Sequence, residues 1–349
     1  MIGENKNKYL IIEKTKFNII LALLRMYLSL LVVNAHYYKT KNSIIKNKYI
    51  LKLLKSRISV PIFFIMSFFF CYKLISSKDK IKIKKRFERL LIPYFIWPII
   101  ILLLNNLFYF TLNIKVKTTL KDLLIQYQTG HNIVAVLWFQ LNLIISTVLI
   151  LSIEIINSKN ISFILINLQI LAYFTQYSNF NYKLFSRYNK YIKYPYGRFM
   201  EILPFCISGY IIAHFNIIIY LKKFKLKAIY ILTLIMIFLS KFIIIKNVKG
   251  FRYQGLKLHI ESLIIFLIFL LIPSEITNIN IIKFIKILTN HTTGVYYLHI
   301  PIYQYISNYI KLIKNKDIFG CLIIYIICYF ISFIGLKMFG KTKLMNLFV

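Results

Sequence analysis

FNIILALLRMYLSLLVVNAHYY (residues 17–38) is the stretch that decides the fold class. At about 1.5 Å per residue a helix of this length crosses a hydrocarbon core of roughly 30 Å. Arg25 and His36 are its only strongly polar, ionisable interruptions. No small-residue cleavage site follows the run, so it reads as a retained span rather than a leader.

Working outward, apolar windows of similar length recur near 58–77, 90–112, 137–157, 161–177, 199–220, 228–245, 258–276, 291–310 and 318–339. The expectation is an all-α polytopic transmembrane helical bundle of about ten spans, with no soluble domain. Residues 1–16 are expected to form an N-terminal segment, 17–339 the transmembrane domain and 340–349 a tail. The longest connector, 113–136, is too short to build a core of its own.

Composition agrees, since the 349 residues are 59% hydrophobic and only 16% charged, which excludes an ordinary water-soluble globule. A net charge of +36 ordinarily suggests nucleic acid, but here the lysines sit in short connectors between apolar runs. Anionic lipid headgroups are the simpler partner, and no nucleic-acid role is expected. Lysine and arginine divide almost evenly between alternate connectors, so charge alone leaves the orientation open.

Cys71, Cys206, Cys321 and Cys328 show no C-x-x-C spacing and read as packing residues. His131, His214, His259 and His291 fall at connectors or span ends without a metal-ligand spacing, so no metal is assigned. No G-x-S-x-G elbow, phosphate loop or dinucleotide fingerprint occurs.

Chemistry is therefore sought inside the spans. Arg25 and His36 are eleven residues apart. That spacing puts them within roughly 20° of one helical face and about 16 Å apart along the axis. An arginine in an apolar span faces the bundle interior or water, either as a functional group or as half of an ion pair. His36 is a general-base candidate towards a hydroxyl, or alternatively an interfacial histidine closing the span.

Arg86 and Arg89, in KKRFERLLIPY (residues 84–94), share a helical face at i, i+3. Two guanidinium groups so spaced suit phosphate oxygens, whether of a nucleotide cofactor or of a lipid headgroup. Arg198 and Glu201 have the same spacing and read first as a helix-stabilising pair. Trp138 opens the fourth expected span, and His299 lies within the ninth.

Taken in order, these segments resemble the integral-membrane acyltransferase family 3, whose members O-acylate cell-surface carbohydrates and glycolipids. Arg25 and His36 match its R-x(10)-H arrangement. The second span, VPIFFIMSFF (residues 60–69), is similar to the family's F-F-x-x-S-G-F segment, with Phe68 after Ser67 where glycine is usual. Arg86 and Arg89 match its R-x-x-R segment, followed here by Pro93 and Tyr94. Leu137-Trp138-Phe139 is similar to L-W-F-L, with Gln140 in the last place. The segment with Glu201, Pro204 and Gly209 resembles E-F-L-P-F-x-x-x-G, and GVYYLHIP (residues 294–301) resembles G-I-Y-L-L-H-x-P.

The resemblance implies an acyl-CoA-dependent O-acyltransferase, with acetyl-CoA as the expected acyl donor and a carbohydrate or glycolipid hydroxyl as acceptor. It marks His36 and Arg25 as catalytic and places Arg86 and Arg89 against the coenzyme A phosphates. Ser67, Tyr94, Trp138, Glu201 and His299 stand as second-tier site residues. It also puts both termini in the cytosol, with the protein in a plasma or inner membrane. The competing expectations are a transporter or flippase of lipid-linked sugars and an inactive membrane scaffold.

Overall fold

Backbone amides in hydrocarbon find no water, and an α-helix satisfies its own, so apolar runs of this kind fold as helices. In the computed structural model they do. It describes residues 18–37, 58–112, 118–130, 132–134, 136–156, 159–177, 190–242, 256–272, 278–306, 318–339 and 342. The expected segment 1–16, the connector 39–57, His131, the tail 340–349 apart from Thr342 and the far ends of several expected spans lie outside the described residues.

The helices are α1 (Ile19–Tyr37), α2 (Ser59–Ser76), α3 (Lys80–Leu112), α4 (Leu120–Thr129), α5 (Leu137–Ile156), α6 (Ile161–Tyr177) and α7 (Lys190–His214). They continue as α8 (Ile217–Lys223), α9 (Lys225–Phe242), α10 (Leu256–Leu271), α11 (Ile279–Asn290), α12 (Thr292–Ile306) and α13 (Ile318–Phe339). The described residues contain no strand.

Among the described residues, five helices are long and apolar enough to cross a membrane: α1, α2, α3, α5 and α13. A sixth is added if α7 and α8, which meet at a 63° bend, count as one broken span. The remaining expected spans fall on α6, α9, α10 and α12, which do not meet that test over their described lengths. The chain is an all-α membrane bundle.

Two boundaries differ from the sequence expectation, for local reasons. The third helix starts at Lys80 rather than near residue 90, because Asp79 Oδ1 accepts the Ile81 and Lys82 amides at 3.0 and 3.1 Å and caps it. The basic segment is thereby the first turns of α3 rather than a connector. The long connector 113–136 holds α4, opened by a Thr119–Asp122 capping box and closed by Gly130 at φ 64°. Tyr94 Oη donates to the Tyr127 carbonyl at 2.6 Å and Tyr127 Oη donates to the Phe95 carbonyl at 2.8 Å, tying α4 to α3.

The centre of the bundle is the crossing of α2 and α7. A Cβ at Gly209 would lie 2.2 Å from the Ile65 carbonyl oxygen, so only glycine permits this approach. Phe68, in the place where the resembled segment has glycine, is fully buried and takes no part in that contact. α1 packs on α2, α11, α12 and α13. Arg25 meets Thr293 while His36 meets His299, so α1 and α12 run in the same direction. Cys71, Cys206, Cys321 and Cys328 are all buried and unbridged, as packing residues should be.

Candidate active site

At one level of the bundle the cations gather. Arg25 donates through Nη2 to Thr293 Oγ1 in the first turn of α12, and lies within electrostatic reach of Tyr297 and Arg89. Tyr297 Oη donates to Gln140 Oε1 at 2.7 Å, and Gln140 Nε2 donates to the Leu90 carbonyl at 2.9 Å and the Arg89 carbonyl at 3.4 Å. The Arg89 carbonyl is the one that Pro93, having no N–H, leaves without its helical partner. Gln140 thus fastens the start of α3 to α12.

Arg86 turns inward. Its Nη2 donates to Ser67 Oγ at 3.2 Å and Thr147 Oγ1 at 3.3 Å, and its guanidinium stands 5.5 Å from the centre of the Phe68 ring. Arg89 is exposed. Hydroxyls solvate a guanidinium without neutralising it, and Arg25, Arg86 and Arg89 make no carboxylate ion pair among the described residues. An anion arriving here meets uncompensated positive charge.

The second level holds two histidines. The His36 and His299 rings lie 5.3 Å apart and line a half-open cavity of about 170 Å³ with Val33, Ile300, Tyr303, Gln304 and Ile324. His299 is buried, and its Nδ1 faces the Tyr296 carbonyl at 2.7 Å. A carbonyl only accepts, so Nδ1 carries the proton and Nε2 is left with its lone pair. That Nε2 has no hydrogen-bond partner among the described residues. His36 itself is exposed at the mouth of the cavity. From Thr293 to His299 is six residues, about 9 Å along α12.

The sequence matches the family model described as an acyltransferase domain, acyltransferase family 3, over residues 18–337. The chain belongs to this family. It is a membrane acyltransferase. No curated protein and no solved structure gives a match.

In this acyltransferase the nine residues singled out in the sequence do not form one cluster. Ser67, Arg86, Arg89 and Arg25 mark the cation level, and His36 with His299 the second. Tyr94 is committed to fastening α4. Glu201 is buried and bonded to Arg198 at 2.9 Å, and the Arg198 guanidinium stands 5.6 Å from the centre of the Trp138 ring. Arg198 and Glu201 form the pair within α7 that their i, i+3 spacing anticipates, and Arg198 also leans on Trp138 of α5. Among the described residues no group of three or more His, Cys, Asp or Glu side chains is placed to hold a metal ion.

Sequence reasoning missed Thr293, Tyr297, Thr147 and the bracing role of Gln140, whose contacts join residues 50 to 268 positions apart. It also passed over Glu154, a buried carboxylate that accepts from Tyr210 Oη at 2.7 Å. Glu154 carried a usable signal, being one of only ten acidic residues and lying inside an apolar run.

Proposed function

We propose that this acyltransferase moves an acyl group, acetyl in the first instance, from acyl-CoA to a hydroxyl of a cell-surface carbohydrate or glycolipid. The observation that carries the reading is the unpartnered Nε2 of His299 beside the His36 ring in one cavity. A hydroxyl is a weak nucleophile near neutral pH, and a neutral imidazole positioned to take its proton is what the transfer needs.

Arg86 and Arg89 hold the phosphates of the donor, and Arg25 holds it further in, at Thr293. The thioester, carried on a long flexible arm, reaches the histidine pair about 9 Å further along α12. There the acceptor oxygen attacks the thioester carbonyl and its proton passes to the imidazole of His36. The tetrahedral adduct collapses to the ester, and the departing thiolate recovers the proton. Low-dielectric surroundings make the Arg25 guanidinium worth far more to a negative charge than it is in water.

His36→Ala is expected to lower transfer by at least about a hundredfold while leaving the fold intact, since a positioned base contributes that much. The measurement is incorporation of radiolabelled acetyl from acetyl-CoA into membrane glycans, with wild type and variant at matched expression. Equal incorporation would remove His36 from the mechanism.

A further inference from the structure

A second cavity, of about 220 Å³, shares no lining residue with the histidine cavity. It opens where α11 ends, α12 begins and α13 ends, and is lined by Ile287, Asn290, His291, Phe333, Leu336 and Lys337. Its lining mixes apolar side chains with cationic or hydrogen-bonding ones.

His291 is 2% exposed, and its Nδ1 has no hydrogen-bond partner among the described residues. The ring is held by Tyr329 and Phe333, whose centres lie 5.0 and 5.5 Å away, so it cannot swing out to water. A buried nitrogen left without a partner costs free energy that a ligand would recover. Lys337 supplies a charge in the last turn of α13. Lys283 and Lys286 share the face of α11 that carries Asn290, by their i, i+3, i+7 spacing.

No aspartate or glutamate occurs from residue 276 to 316, or after 317. The positive charge of this corner therefore has no acid from its own helices to answer it. Ile287, Phe333 and Met338 are exposed and extend an apolar surface beyond the cavity. Helix ends of this kind sit at headgroup depth when the flanking helices cross a bilayer.

We infer that this cavity seats the phosphate headgroup of an anionic phospholipid. Lys337 and His291 hold the phosphate, and the acyl chains run along Ile287, Phe333 and Leu336. The volume is below that of a pocket for a whole drug-sized ligand, so only the headgroup enters. The seat adjoins the start of α12, two residues before the Thr293 to which Arg25 donates. The inference is independent of acyl transfer and fails or stands separately from it.

The test is a thermal melt of the whole protein in neutral detergent, titrated with short-chain phosphatidylglycerol, the matched phosphatidylcholine or inorganic phosphate. Phosphatidylglycerol is expected to raise the melting temperature saturably, with phosphatidylcholine and phosphate giving no saturable effect. Lys337→Gln changes an exposed side chain and should raise the half-saturating phosphatidylglycerol concentration about fivefold, the effect of losing one lysine near an anionic headgroup. Lys121→Gln, on α4, should leave it unchanged. An unaltered titration in Lys337→Gln, an equal shift in Lys121→Gln, or equal stabilisation by phosphatidylcholine or by free phosphate would each overturn the inference.

Discussion

Gln140 shows how much one side chain can carry. It satisfies the carbonyl freed by Pro93, accepts from Tyr297, and so sets the height of α3 against α12. Gln140→Leu, which installs the residue usual in the resembled segment, is expected to destabilise the protein by about 1–3 kcal/mol, because the buried Tyr297 hydroxyl loses its acceptor. Pairing it with Tyr297→Phe should recover part of that loss, since removing both partners leaves nothing unsatisfied on that side. Thermal melts of the single and double variants in detergent check this, and identical melts for wild type and Gln140→Leu would contradict it. The pair of Arg198 and Glu201 was legible from i, i+3 spacing, whereas Gln140 was not. Its partners arrive from α3 and α12, and no local pattern announces them.

Helix positions depend on two devices of different kinds. At Gly209 the device is the absence of a side chain. Gly209→Ala would drive a Cβ against the Ile65 carbonyl, which is backbone and cannot rotate away, so α7 must move off α2. The expected cost is about 1–3 kcal/mol, as for overpacking elsewhere, seen as a lower melting temperature and a poorer yield of monodisperse protein.

At α4 the device is a charge. The hydroxyl and amide of Thr119, then the Asn132 amide, favour the Asp122 carboxylate and hold it below its ordinary value of 3.8. Its folded pKa being depressed, the box contributes fully above that ordinary value and loses its contribution as pH falls through the folded one. Hydrogen-exchange protection factors over residues 120–129 should fall in that acid range for wild type. In Asp122→Asn they should be lower at neutral pH and flat across it. Equal protection in the two proteins at neutral pH would show that the charge contributes nothing. The capping box was written in the sequence at Thr119 and Asp122, but 113–136 was read only as a connector too short to build a core of its own.

For the whole molecule, α3 is the clearest crossing, with a basic start and with α4 folded back along it from Leu102 towards Tyr94. Single cysteines placed at Lys82 and at Leu120, both on exposed sites, should react with a membrane-impermeant maleimide from opposite faces of sealed vesicles. Labelling of both from one face would mean that α3 does not span. The native cysteines are buried and leave the background low.

The amino-acid order by itself determined that this is a helical membrane protein and which residues share a helix face. Both follow from the length of the apolar runs and the 3.6-residue period, which act over a few turns of chain. It also marked Arg25 and His36 as one helix's polar pair. Only the tertiary structure decided that Arg25 answers to Thr293 and Arg86 to Ser67 and Thr147, and that His36 has His299 for its neighbour. Those partners are set by how helices cross, which is a property of packed surfaces and not of any one segment.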